Sequence, residues 1–274
     1  MRPILVGVDG SDASAAALAW AAHFAHATDA PLLVATAYVA DPTQVVEWAD
    51  AMDLAEERLD GWCASARAVG IPYDASVLHG DSGPALLAFA EETNAGLIVV
   101  SRRSAGAFMS LTAGSTADYI AHHSSRPFVI LPPAARARRP LHLVVGVDGS
   151  TDAQAAVEWA ADAAITLNAR ITAFSMPRVA ILVPANEREQ RLLAYQALND
   201  WVEPLRTAHA TYDCQVLPGS DAAEELIATT ADVGGDLIVI GTRRLGGWRP
   251  LRVGGTTMQL AHQSPYPVVV VPFR

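Results

Sequence analysis

Val6-Gly7-Val8-Asp9-Gly10-Ser11 recurs as Val145-Gly146-Val147-Asp148-Gly149-Ser150, and the rest of the chain is ordered around that repetition. An offset of 139 to 140 residues holds on both sides of the motif. Trp20-Ala21-Ala22 answers Trp159-Ala160-Ala161, and Leu97-Ile98-Val99-Val100 answers Leu237-Ile238-Val239-Ile240. Ala121-His122 answers Ala261-His262, and Pro127 and Pro267 each precede an apolar run. An internal repeat governs the reading of every motif inside it, and this one divides 274 residues into two domains of ordinary size. Between the copies lies Pro132-Pro133-Ala134-Ala135-Arg136-Ala137-Arg138-Arg139-Pro140, whose prolines remove backbone donors and whose arginines favour solvent. The boundaries expected are 1–135 for the first domain, 136–140 for the linker and 141–274 for the second domain. Counting Arg against Asp and Glu, these carry −9, +3 and −4.

Each copy alternates strand and helix. Residues 3–8 form a continuous apolar run, as a strand covered on both faces requires. Ser11 or Asp12 then caps an alanine-rich helix running to about Thr28. Further strands are expected near residues 32–38, 73–78, 97–101 and 128–131, with helices between them, and the second copy repeats the order to a last strand at 268–271. The pattern β-α-β-α-β-α-β-α-β, taken twice, predicts an α/β protein. It would consist of two tandem doubly wound, Rossmann-like domains, each a five-stranded parallel sheet with right-handed crossovers.

Composition narrows the function classes. Hydrophobic residues make up 51% and charged residues 18%, so the chain has the apolar content to fold throughout. A net charge of −10 opposes nucleic acid and anionic membrane surfaces as partners. All 19 cationic residues are arginine, which excludes a P-loop lysine, a Schiff-base lysine and a lysine general base. Cys63 and Cys214 fall in different copies, so a disulfide framework is not expected, and each reads as a half-buried structural thiol. Residues 1–8 lack the layout of a secretory signal, and no apolar run approaches the ~20 residues of a membrane span. The compartment expected is the cytoplasm.

Ligands of doubly wound sheets bind beyond the carboxyl ends of the strands, where the strand order reverses. Two loops in each copy lie there. The first is Asp9-Gly10-Ser11 and its twin Asp148-Gly149-Ser150. The carboxylate can accept from a ribose hydroxyl or an adenine amine while Gly allows the tight turn; equally, the Asp can simply start the helix. The second loop runs from Ser101 to Ser115 and from Gly241 to Gly255. Each delivers hydroxyls and backbone N–H groups at a helix start (Ser115-Thr116, Thr256-Thr257), a natural anion site. Arg102 and Arg103 gather there in one copy, and Arg243, Arg244, Arg249 and Arg252 in the other. They would favour phosphate, or pair with acidic neighbours in a solvated loop.

Val-Gly-Val-Asp-Gly-Ser after the first strand, Gly80-Asp81 and Gly219-Ser220 after the third, the Leu-Ile-Val strand with its glycine-containing loop, and the Pro-apolar last strand together resemble the universal stress protein family, in two tandem copies over essentially the whole chain. The resemblance implies adenine-nucleotide α-hydrolase-like domains and, in ATP-binding members, a loop of Gly, two residues, Gly, nine residues, then Gly-Ser or Gly-Thr after the fourth strand. That pattern falls on Ser101, Ser104, Gly114 and Ser115 in the first copy and on Gly241, Arg244, Gly254 and Gly255 in the second, so both are degenerate. Serine is small, whereas Arg244 must swing out to phosphate or fill the pocket, and the first copy reads as the better binder. Asp9 and Asp148 resemble the family's adenine-side aspartate, and backbone near Ala37-Tyr38 and Ser175-Met176 would face the base.

The resemblance therefore implies a stress-response protein that binds ATP or a related adenine nucleotide in at least one copy, with or without Mg and without a tightly bound metal. Nothing in the sequence forms a committed catalytic site; weak ATPase activity is the most that is expected, and no residue commits to it. The other reading is a nucleotide-free interaction protein whose degenerate loops have become partner surfaces. Family members commonly dimerise through the final strand, which implies an intrachain pseudo-dimer here and leaves a homodimer open. His122 and His123 point about 100° apart on a helix and suit a surface better than one metal. Trp48, Trp62 and Trp201 read as amphipathic helix packing, and Trp248 lies in the second loop.

Overall fold

The computed structural model describes residues 2–38, 48–102, 116–133, 135, 138–176, 187–217, 219–242 and 255–273, and it divides into two compact units, Met1–Arg139 and Pro140–Arg274. Unit 1 comprises β1 (Ile4–Gly7), α1 (Asp12–Thr28), β2 (Leu32–Tyr38), α2 (Trp48–Trp62), α3 (Ala64–Val69), β3 (Tyr73–His79), α4 (Ser82–Glu92), β4 (Leu97–Ser101), α5 (Thr116–His123) and β5 (Phe128–Leu131). Unit 2 repeats the order as β6 (His142–Gly146), α6 (Thr151–Leu167), β7 (Arg170–Ser175), α7 (Glu187–Trp201), α8 (Glu203–Thr207), β8 (Tyr212–Val216), α9 (Ala222–Asp232), β9 (Leu237–Thr242), α10 (Gly255–Gln263) and β10 (Val268–Pro272).

Within unit 1 the strand order is β3-β2-β1-β4-β5, and within unit 2 it is β8-β7-β6-β9-β10; the pairs are parallel. The chain therefore winds outward from β1 in one direction, then restarts at β4 in the other. The reversal lies between β1 and β4, and between β6 and β9. Helices α1 and α3 pack together on one face and α4 and α5 on the other, with α6–α8 and α9–α10 as their counterparts.

The central strands are apolar because both faces are covered. Leu5, Val6, Ile98 and Val99 in unit 1, and Leu143, Val144, Val145 and Val239 in unit 2, are fully buried. Ala17, Ala21, Ala22 and Ala25 form the buried stripe of α1, and short side chains there bring the helix close to the sheet. Trp20 stacks on Phe24 at 4.9 Å between ring centroids and closes the same stripe. Each long helix ends alike. Asp29 (φ 50°) and Asn168 (φ 49°) turn left-handed, and the following Ala30 and Ala169 donate back to Ala25 and Ala164 at 3.0 and 2.9 Å.

One sequence expectation changes in kind. The connection between the second and third strands is not one helix: it breaks after Trp62 and again, in the copy, after Trp201. Pro204 at the start of α8 accounts for the second break. Cys63, expected to be half-buried, is fully enclosed at the first, while Cys214 is half-buried. Burial raises the pKa of both thiols. Among the described residues no helix is long and apolar enough to cross a membrane.

Candidate functional site

The two Asp-Gly-Ser segments leave β1 and β6 at the reversal points and start α1 and α6. In the first, Asp9 Oδ1 accepts the Ser11 N–H at 3.0 Å and the Ser11 hydroxyl at 2.6 Å. Ser11 Oγ accepts the Ser14 N–H at 3.2 Å, which makes Ser11, rather than Asp12, the cap of α1. Ser14 extends the lock, since its hydroxyl donates to the Ser11 carbonyl at 2.9 Å and accepts the Asp9 N–H at 3.3 Å. The copy repeats the core of this arrangement. Asp148 Oδ1 accepts both the N–H and the hydroxyl of Ser150, and Ser150 Oγ accepts the Ala153 N–H at 3.2 Å. Each aspartate is thus the hinge of a turn that aims the helix cap, and it is exposed just beyond the carboxyl end of its strand.

Gly10 and Gly149 adopt φ +78° and +76°, the left-handed region that disfavours side chains. A second constraint was not foreseen. A Cβ built on Gly10 would lie 2.6 Å from Trp62 Cε2 and nearer still to Cζ2; on Gly149 it would lie 2.8 Å from Trp201 Cη2 and nearer to Cζ2. Trp62 and Trp201 are therefore not merely the apolar side of a helix but the backing of the two turns. Helical periodicity hid this role. The common offset of Gly10 with Gly149 and of Trp62 with Trp201 was the available signal.

The wall beside each turn is the overrun of the second strand. Pairing of β1 with β2 ends at Gly7↔Ala35, but β2 continues through Ala37, paired with Leu78, to Tyr38. In unit 2 the last β6–β7 pair is Gly146↔Phe174, and β7 continues to the buried Ser175, with Met176 next. Backbone of Ala37 and Ser175 thus borders the crevice.

The opposite wall differs between units. In unit 1, β4 ends in Ser101 and the chain continues to Arg102, whose N–H donates to Leu131 O at 2.8 Å. The guanidinium is half-buried, and desolvation lowers its pKa. In unit 2 the matching residues are Gly241 and Thr242. A Cβ on Gly241 would fall onto the Asp152 carbonyl and within 2.8 Å of the Ala153 nitrogen, so this glycine lets β9 pass directly under the first turn of α6. Its retention thus has a packing reason separate from any phosphate loop. Thr242 is buried, and its Oγ1 has no partner among the described residues.

Beyond these strands, the helix starts are tied down in two ways. Thr116 opens α5 and shares a hydroxyl hydrogen bond with Ser82 at the start of α4. Gly255 opens α10, followed by the half-buried Thr256 and the buried Thr257. There, Gln259 Nε2 donates to Asp221 Oδ2 at 2.8 Å while Asp221 Oδ1 caps α9 through the Ala223 and Glu224 N–H groups. These bonds hold the Asp221 carboxyl below the usual carboxylate range. The expected loop residues Arg103, Ser104, Gly114, Ser115, Arg243, Arg244, Trp248, Arg249, Arg252 and Gly254 lie outside the described residues. Among those described, Asp9, Gly10, Ala37, Ser101, Arg102 and Thr116 lie at the carboxyl end of one sheet, and Asp148, Gly149, Gly241, Gly255 and Thr256 at that of the other. His123 is exposed and stacks on Tyr119 at 4.1 Å, and the Nδ1 atoms of His122 and His123 bond to backbone carbonyls four residues earlier. Among the described residues no group of three or more His, Cys, Asp or Glu could hold a metal ion.

Comparison with known proteins agrees with this architecture. A universal stress protein from Mycolicibacterium smegmatis is 28% identical over 295 residues, covering 98% of this chain and 96% of the relative. One from Mycobacterium tuberculosis is 27% identical over 314 residues, covering 97% and 94%. A universal stress protein structure from Archaeoglobus fulgidus has the same fold, with a TM-score of 0.75, 18% identity and 98% of both chains covered. The sequence profile of the universal stress protein family matches residues 1–132 and again 141–272. The chain therefore belongs to the universal stress protein family and carries its domain twice.

Proposed function

We propose that this protein binds ATP or a related adenine nucleotide, with or without Mg, in at least one unit, and acts as a regulatory sensor in the cytoplasmic stress response. The observation that carries this reading is the twice-built crevice: a left-handed Asp-Gly turn at the strand reversal, bordered by the overrun of the second strand. Asp9 and Asp148 would accept from the ribose or the base, while backbone at Ala37 and Ser175 would face the ring. Ser101, Arg102 and Thr116, together with Ser104, Gly114 and Ser115, would meet the phosphates in unit 1. Gly241, Gly255 and Thr256, with Arg243, Arg244 and Gly254, would do so in unit 2. Arg102 favours the first crevice, since it places a guanidinium where unit 2 has the uncharged Thr242, and charge-assisted hydrogen bonds to phosphate are the stronger kind. The reading includes pairing between β5 and β10 within a chain, supported by their apolar sequences and terminal places in their units' strand orders.

A second reading, a nucleotide-free interaction protein, draws on Oδ1 of each aspartate being engaged by its own serine, and on Gly241 being explained by packing. Calorimetry with ATP and Mg separates the two. Asp9→Asn and Asp148→Asn keep the oxygen that holds the turn and remove the charge. Loss of heat in one variant would assign the working crevice, whereas a folded wild-type chain that takes up no ATP at millimolar concentration would favour the second reading.

A further inference from the structure

We propose that Trp62 and Trp201 are positioning residues: each clamps the neighbouring Asp-Gly-Ser turn and ties it to the break in the adjacent helix pair, so that the state of the crevice is carried to α2–α3 or α7–α8. The ligand-dependent part rests on nucleotide binding in the crevice; the clamp itself does not.

Three features converge in each unit. The indole occupies the space where a Cβ of Gly10 or Gly149 would stand, so the turn and the ring move together or separate. Each tryptophan is the last residue of its helix, and the next residue leaves helical geometry: Cys63 at φ −72°, ψ 5° and Val202 at φ −90°, ψ 13°. Both of those residues are fully buried, which anchors the break while the ring stays half-exposed. The short helix beyond the break packs on the helix that the same turn initiates, α3 on α1 and α8 on α6. Turn, ring, break and helix contact thus form a closed circuit. In unit 2 a pocket of about 200 Å³ lined by Gly149, Ser150, Trp201, Glu203 and Pro204 leaves the ring room to shift. The circuit persists in two copies whose opposite walls have diverged, which argues against accidental packing.

The test uses the full chain and its Trp62→Phe, Asp9→Asn and combined variants, with Trp201→Phe and Asp148→Asn as the parallel set if the first fails to fold. Without nucleotide, Trp62→Phe should speed hydrogen exchange of the Ser11 and Ser14 amides about tenfold while β5 amides are unchanged, as release of a local unit requires. With nucleotide, Trp62→Phe should weaken ATP binding about fivefold in the wild type and cause no further loss in the Asp9→Asn background, because the ring acts through the aspartate. Unchanged exchange at Ser11 and Ser14, or additive losses in the double variant, would overturn the proposal. If wild-type protein takes up no ATP, the nucleotide reading fails alone and the exchange measurement still decides the clamp.

Discussion

The first crevice is walled by Ser101 and Arg102, the second by Gly241 and Thr242, while the facing wall, an Asp-Gly-Ser turn backed by a tryptophan, is the same in both. The shared wall is over-determined. Backbone conformation, helix capping and ring packing all depend on the same residues, and any single change breaks several contacts. The divergent wall is held by fewer constraints, and each unit has found its own. Unit 2 uses a glycine to slide β9 beneath α6, and unit 1 places a side chain and a cation there instead.

The largest expected effect tests that asymmetry. Gly241→Ala must displace the Asp152 backbone, and unit 2 should lose about 3 kcal/mol or more, the upper range of overpacking. Ser101→Gly, the reciprocal change, should cost unit 1 under about 1 kcal/mol. Urea unfolding with exchange probes in β9 and β4 separates the units; equal losses would dissolve the distinction. Next come Gly10→Ala and Gly149→Ala, each expected to cost about 1–3 kcal/mol through strained φ and the indole contact. Here the comparison demands near-equal losses.

A pH experiment reads a second difference between the units. Buried His142 opens β6; its Nδ1 lies 3.1 Å from Val233 O and its Nε2 lies 2.8 Å from Thr172 Oγ1, which donates to Asp213 Oδ1 at 2.9 Å. Burial, then the Arg170 charge, pulls its pKa below the ordinary imidazole value, against the hydrogen bond to the Val233 carbonyl and the charges of Asp213 and Asp236. The folded state therefore binds fewer protons than the unfolded one. This contribution to stability is present above the unfolded imidazole value and declines as pH falls below it. Unit 2 should weaken on acidification in this window, and His142→Asn should remove that component. Unit 1, with Pro3 and Leu33 at the matching places, should not share it. Nuclear magnetic resonance titration of the His142 ring measures the direction directly. The smallest effect is expected from Ser82→Ala, which removes the hydroxyl tie between α4 and α5 and should cost unit 1 about 1 kcal/mol in thermal unfolding.

Much of this was readable in the residues. The runs at 32–38, 97–101 and 128–131 each start directly after a glycine or proline (Pro31, Gly96, Pro127), and β2, β4 and β5 occupy them as expected. The sequence narrowed the cap of α1 to Ser11 or Asp12, and the Ser14 N–H bond to Ser11 Oγ decides for Ser11. The helix break after Trp62 was not legible, since no proline stands there, and the ring on Gly10 depends on a contact between elements far apart in sequence. His142, Thr172 and Asp213 come together only through the β6-β7-β8 register, which no local pattern encodes. Gly241 illustrates the converse, a residue identified by motif whose role in this fold is to let a helix approach.

The most direct test is a backbone nuclear magnetic resonance titration of the full chain with ATP and Mg, following Gly10, Ser11 and Ala37 alongside Gly149, Ser150 and Ser175. The account predicts saturable shifts concentrated on the first set, with weaker or absent shifts on the second. Saturable shifts elsewhere with both turns unmoved, or no shifts at millimolar ATP, would contradict it.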